Sequence, residues 1–373
     1  MHHPTPRYVA SHIVICVHDF SRGGTERIAI GLARHWVEAG RKVTFLCGTT
    51  EGGLRDTVDP RVAVVALDPP IRRSLISRFW LGRAMAAKLP ALNADVVFLP
   101  GNFHLVLAAA LSRVPARPAI VLKISNPLAS HSAFAWPANW LLRRFSNCVD
   151  GVATMSTGLE ADLRWLVPGQ NIQTLFDPVY QNLAITDHLA AEGDGALQLL
   201  WVGRFEPQKD AQLALKTIDA LRKQCPVRLT MLGDGAQRAQ VLRLIIRMGL
   251  EHCVSAPGHM ESIEPYMQRA DALLITSHYE GGPAVAVEAL AHGVPVVSTK
   301  CSHFLDDIIT AREAGKIVDS REPELLAAAL LALRDAGPPP AATLQALVAH
   351  LDPETCAAAY LAWLDTMVAA RVG

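Results

Sequence analysis

No apolar run in this chain approaches the roughly 20 residues of a membrane span. Stretches such as His12–Val17 are strand-sized. The first residues lack a charged flank followed by an apolar run and a small-residue cleavage site, so no secretory leader is expected either. Cysteine is sparse: seven thiols, an odd number, with no C-x-x-C pair. That argues against a disulfide framework and for reduced thiols in a cytoplasmic protein. No His, Cys and carboxylate cluster has metal-ligand spacing, so no metal is expected. An excess of one charge is missing too, since 35 Lys/Arg balance 35 Asp/Glu. This excludes the basic footprint of a nucleic-acid binder. Charged residues are few overall, and half the chain is hydrophobic, which excludes global disorder and supplies a large core.

The balance hides an asymmetry. Residues 1–180 carry 19 Lys/Arg against 12 Asp/Glu, and the remainder carries 16 against 23. A basic first half and an acidic second half suggest a different partner for each. A length of 373 residues makes two domains the default. Short β-branched runs alternate with helical stretches in both halves. Strands are expected at His12–Val17, Val43–Cys47, Val96–Leu99, Ile120–Ile124 and Gly151–Met155. In the second half they are expected at Leu197–Val202, Val227–Leu232, Ala272–Thr276 and Val294–Ser298. The rhythm predicts two doubly wound α/β domains with parallel sheets. The boundaries read as 1–178, a linker over 179–195, 196–350, and a helical tail over 351–373.

In such sheets ligands bind beyond the carboxyl ends of the strands. One of these loops stands out: Thr276-Ser277-His278-Tyr279-Glu280-Gly281-Gly282-Pro283, running into an apolar helix that carries Glu288. Gly281 and Gly282 offer bare backbone N–H groups, and Pro283 suits the first helical position. A helix N-terminus of this kind favours an anion such as a diphosphate. Glu280 at the loop and Glu288 in the second turn need hydroxyl or cationic partners. A strand–turn–helix connector with a surface Glu is the plain alternative. Two further loops join this one. Gly23 and Gly24, in His18–Glu26, could admit a phosphate close to the backbone. Arg204 and Lys209, in Val202–Asp210, could share one diphosphate, Arg as a fork and Lys as a point charge. Gly233-Asp234-Gly235 and Pro257-Gly258-His259 read as turns at strand ends.

Assembled, these residues resemble the retaining glycosyltransferases of family 4, which have the GT-B fold. The resemblance runs almost the full length, through Gly23-Gly24-Thr25-Glu26, Val202-Gly203-Arg204 to Lys209, Gly233-Asp234-Gly235, and Glu280 with Glu288 as an E-x7-E pair. It implies two Rossmann-like domains facing each other across a cleft, with the C-terminal helix crossing back to the first domain. It implies that Arg204 and Lys209 bind a diphosphate and Glu288 the ribose. Glu280 with Gly281, Gly282, Pro283, Ala284 and Val285 would hold the transferred sugar and phosphates, with Gly23 and Gly24 closing on the diphosphate and His259 near the base. Glu280, Arg204 and Lys209 carry the catalytic expectation. The donor would be a nucleotide-diphosphate sugar, UDP favoured and GDP left open, with no cofactor. The acceptor would be a carbohydrate or lipid-linked hydroxyl in bacterial surface polysaccharide or glycolipid assembly. The chain departs from the family at its acceptor-side histidine, where Lys123-Ile124-Ser125-Asn126-Pro127 stands. Asn126, Asn102, His104 and the nearby His131 remain open for that place. A sugar-nucleotide 2-epimerase and a non-catalytic sugar-nucleotide binder are the rival readings.

The basic first half adds one expectation. Ile71–Arg83 and Trp136–Phe145 mix arginines with large apolar residues, a pattern suited to an anionic bilayer surface. Weak, salt-sensitive binding at the inner face of a membrane is expected. The alternative is that the apolar faces pack on the sheet while the arginines face water.

Overall fold

The computed structural model describes residues 9–74, 76–125, 135–178 and 195–372. The chain divides into two compact units, Met1–Val179 with Leu351–Gly373, and Tyr180–His350.

The first unit opens with β1 (His12–Val17), α1 (Gly24–Glu38), β2 (Lys42–Cys47), β3 (Ala63–Ala66) and α2 (Ser77–Lys88). It continues with β4 (Val96–Leu99), α3 (Leu105–Leu111), β5 (Ala119–Ile124) and α4 (Ala135–Phe145). Then come β6 (Gly151–Thr154), α5 (Thr157–Leu166) and β7 (Ile172–Thr174). The strands form one parallel sheet in the order β3-β2-β1-β4-β5-β6-β7. Strands β1, β4 and β5 are buried throughout, as continuous apolar runs covered on both faces should be.

The second unit contains β8 (Leu197–Val202), α6 (Ala211–Leu221), β9 (Val227–Leu232), α7 (Arg238–Arg247), β10 (Val254–Gly258) and α8 (Glu264–Met267). It goes on through β11 (Ala272–Ile275), α9 (Ala284–Ala291), β12 (Val296–Thr299), α10 (His303–Ile308) and β13 (Gly315–Val318). It ends with α11 (Pro323–Ala336) and α12 (Ala341–Val348). Its parallel sheet runs β10-β9-β8-β11-β12-β13.

The last helix, α13 (Pro353–Val372), belongs to the first unit. Tyr360, Leu361, Trp363, Leu364 and Met367 of α13 share a core with Trp36 of α1 and Phe98 of β4. The Trp36 indole donates to the Ala357 carbonyl at 3.2 Å, and Arg41 grips Asp365 with both terminal nitrogens. The opposite face of the sheet is covered by α2, α3, α4 and α5 through Leu81, Leu107, Leu142 and Leu163.

The tail reaches further into this core than a linker reading implies. Asp177, two residues before the expected linker, is 5 % exposed. The Lys123 ammonium donates to it at 2.6 Å, and the Tyr360 hydroxyl donates to its other oxygen at 3.4 Å. Residues 179–194 of the expected linker, Asn126 and His131 lie outside the described residues.

Candidate functional site

Both sheets reverse their strand order at one place. In the second unit, β8 has β9 on one side and β11 on the other. A crevice beyond the strand ends at such a switch point is where open α/β sheets bind ligands. The expected motifs converge there. The Lys209 ammonium donates to Glu280 Oε1 at 2.6 Å, and the Ser277 hydroxyl donates to the same oxygen at 2.6 Å. Glu280 thus has both a cationic and a hydroxyl partner and is not the surface carboxylate of the plain alternative. It is 8 % exposed, with its backbone N–H bonded to the Cys301 carbonyl at 2.7 Å.

Several side chains hold this loop in shape. The Thr276 hydroxyl donates to the carbonyls of Lys209 and Asp210 and accepts from the Trp201 indole at 3.1 Å. Asp210 has a left-handed backbone and caps α6, its carboxylate accepting from the Leu213 N–H. Arg321 straps the assembly, donating to the carbonyls of Thr276 and Ser277 and to Asp210. Sequence reasoning missed Arg321, because it sits alone in a polar stretch and its three partners are distant in sequence.

Helix α9 begins at Ala284, with Pro283 as its N-cap rather than its first helical residue. Among the described residues, no side chain caps it. Its first N–H groups therefore remain for a ligand or water. Glu288 is half-buried in the second turn, so it is less enclosed than an apolar helix suggested, and the desolvation argument for it weakens. Arg204 is not gathered into the Lys209–Glu280 cluster. Its guanidinium is largely exposed and bonds Glu206 at 2.8 Å. His259 is exposed beyond β10.

The Gly233-Asp234-Gly235 turn has a physical reason. Gly233 has φ +134°, and a Cβ there would stand 2.0 Å from the Gly203 carbonyl oxygen. The Gly203 N–H bonds the Leu232 carbonyl at 3.0 Å, and the Phe205 N–H bonds that of Asp234 at 3.0 Å. The turn thus pins the backbone that carries Arg204.

The first unit has its own switch point at β1, between β2 and β4. A cavity of about 180 Å³ lies there, lined by His18, Gly23, Gly24, Arg73, Phe103 and His104 among others. Glu26 folds back over Gly23, where a Cβ would stand 2.2 Å from its carboxylate. Arg73 bridges Glu26 at 2.5 Å and Asp19 at 2.5 Å. Burial opposes the charge on Asp19, yet hydrogen bonds from Arg73 and Ser21 hold its carboxyl below the usual range. Gly24 has no atom of the described residues within 4 Å of a would-be Cβ.

Two neutral imidazoles face this cavity. Burial pushes His104 down to about 4, with help from Arg73 and Arg78. Its Nδ1 lies 3.2 Å from the Gly101 carbonyl, to which it donates, leaving Nε2 as an acceptor. Burial, then Arg73, also lowers His18. His18 is 5 % exposed, and its Nε2 is buried without a partner among the described residues. In the sequence His18 is one residue of a loop, and a lone histidine carries no signal until its burial is known. Asn102, an expected acceptor-side residue, accepts from the Ser125 N–H at 2.9 Å and ties the β4 loop to β5.

Comparisons with known proteins agree with this architecture. The family described as "Glycosyltransferase Family 4" matches residues 22–176, and "Glycosyl transferases group 1" matches residues 196–335. An uncharacterized glycosyltransferase of Haemophilus influenzae is 23 % identical over 82 % of this chain and 84 % of its own. The apo lipopolysaccharide outer core galactosyltransferase WaaB superposes with a TM-score of 0.75 at 17 % identity, covering 94 % of this chain and 98 % of that one. Anabaena HepE in complex with UDP and glucose gives 0.72 at 18 % identity, covering 95 % and 100 %. Each half of the chain thus matches a glycosyltransferase family model, and its two Rossmann-like domains are of the kind that make up the GT-B fold. Among the described residues, no group of three or more His, Cys, Asp and Glu is placed to hold a metal ion.

Proposed function

We propose that this protein is a retaining glycosyltransferase of family 4, moving a sugar from a nucleotide-diphosphate sugar to a hydroxyl acceptor. The observation that carries the reading is the Lys209–Glu280 pair beside the uncapped start of α9, at the switch point of the second sheet. A cation and a helix N-terminus there stabilise charge growing on a leaving diphosphate. Arg204 supplies a second cation, since its exposed pair with Glu206 holds it only weakly. Glu280 and the N–H groups after it accept and donate to the sugar. Glu288 takes the ribose.

The acceptor belongs to the first unit, at the cavity by His18 and His104. Gly24 supports a close ligand approach there, because neither its backbone nor a neighbour requires glycine. An unpartnered, neutral His18 Nε2 suits an acceptor hydroxyl. In the reaction, the bond from the anomeric carbon to the diphosphate oxygen breaks. A bond to the acceptor oxygen forms on the same face, and the acceptor proton passes to the diphosphate. Cations and backbone dipoles carry the charge without a metal. A UDP-sugar is the first choice of donor, because the HepE structure holds UDP. Envelope polysaccharide or glycolipid assembly is the setting, because WaaB is an outer core galactosyltransferase. A reducing, cytoplasmic location is part of the reading, supported by an odd number of cysteines with no C-x-x-C pair.

The test is a donor screen with product analysis. Thermal stabilisation by one nucleotide sugar should be followed by release of nucleoside diphosphate in proportion to the acceptor glycosylated, with the anomeric configuration kept. Interconversion of donors with no nucleotide released would replace transfer by epimerisation. Inverted configuration would overturn the retaining assignment.

A further inference from the structure

We propose that the outer face of the α2–α5 helix layer docks on an anionic lipid bilayer. Helix α2 packs on α3, and α3 on α4. Arg143 of α4 lies over the Trp165 ring of α5 at 6.0 Å. Each helix turns leucines toward the sheet. On their outer side, and in the segments leading into them, stand Ile76, Phe79, Trp80, Phe103, Trp140 and Trp165, each more than half exposed. Among the described residues of the first unit, no other large apolar side chain is more than half exposed, and Val9 is 39 % exposed. The α1 and α13 face has none. Scatter over the surface would have spared neither face, so the patch is directional.

Charge is segregated in the same stretch. Between Ile71 and Val149 there are ten Lys/Arg and a single acid, Asp95. Not every cation is available. Arg72 is bonded to Glu51 at 2.6 Å, and Arg73 is committed to Asp19 and Glu26. These two, with Ile71, Ser74 and Ile76, stand ahead of α2 and drop out of the basic helix that the sequence suggests. Arg83, Lys88, Arg113, Arg143 and Arg144 remain exposed. Tryptophan and phenylalanine interleaved with exposed arginines match a bilayer interface, where rings settle at headgroup depth and cations meet anionic lipid. A protein partner would bring acids or a complementary groove, but lipid needs only this mixture. The layer also meets the first-unit cavity, because Arg78 and Phe103 belong to both, with the guanidinium 4.5 Å from the ring centre.

The experiment is co-sedimentation of the full chain with phosphatidylcholine vesicles, with and without about one third phosphatidylglycerol, at low and high salt. Two variants accompany it: Arg83→Glu with Arg143→Glu and Arg144→Glu, and Trp80→Ala with Trp140→Ala. Sedimentation velocity and thermal unfolding confirm that each variant is folded and report its oligomeric state. We expect wild type to pellet with the anionic vesicles only and to be released by salt. Each variant should lose tenfold or more in binding while melting near wild type. Wild type left in the supernatant overturns the proposal, as does unchanged binding by the charge-reversed variant. A self-associating wild type that Trp80→Ala with Trp140→Ala turns into a monomer assigns the face to a second copy instead. Vesicle binding is read without turnover, so this proposal and the proposed transfer fail separately.

Discussion

Removing Lys209 alone would strand Glu280, which is 8 % exposed, without its cation. Lys209→Ala should therefore lose stability on the order of 3 kcal/mol as well as activity, and the activity loss alone would prove little. The double variant Lys209→Ala with Glu280→Gln separates the two effects. We expect it to regain much of the melting temperature while turnover stays down by about 100-fold or more. Recovery of turnover together with stability would make the pair structural. Arg204→Ala, with only an exposed partner, should lose turnover without a shift in melting. His104 gives a pH signature. Its folded value, about 4, lies below the ordinary 6.5, so between these values the unfolded chain binds a proton that the folded chain refuses. Stability must then rise with pH across that window and be lost as pH falls through it. His18 is shifted in the same direction and adds to the trend. The melting temperature of His104→Asn should depend less on pH from 6.5 down to 4; an unchanged slope would remove His104 as the cause.

Among the elements, the central strands could be read from sequence to within one or two residues, β1, β4, β8 and β9 at both ends. The four strands that were not read are β3, β7, β10 and β13, and these are the four edges of the two sheets. An edge strand is covered less and carries less of the apolar run that betrays a buried strand. Ala63 is exposed, Ile172–Thr174 is three residues long, and Val254–Gly258 contains a proline and a glycine that read as a turn. At the site, residue types and loop positions were legible. The Lys209–Glu280 bond was not, because it joins loops 71 residues apart. Nor was the burial of His18. The Gly233 turn is testable at this scale. Gly233→Ala must move the Gly203 backbone, 2.0 Å from the new carbon. We expect a loss of at least about 2 kcal/mol, from strain at positive φ and from the clash. Donor binding should fall with it, measured by calorimetry; a variant as stable as wild type would refute the close approach.

For the molecule as a whole, α13 decides the integrity of the first unit. Lys123→Met should cost about 3–5 kcal/mol by leaving Asp177 charged in the core, and Asp177→Asn added to it should restore part of that loss. Calorimetry of the two variants checks this. Equal stability of Lys123→Met and wild type would mean that water reaches the pair. A consequence concerns synthesis. The first unit occupies the start of the chain, yet one face of its core is closed by residues 353–372. While the ribosome makes the second unit, Trp36 and Phe98 wait without Tyr360 and Trp363, and apolar surface stays uncovered. The second unit, whose elements are contiguous in sequence, can finish first. In pulse-labelled nascent chains, protease resistance should therefore reach the C-terminal unit before the N-terminal one, against the order of translation.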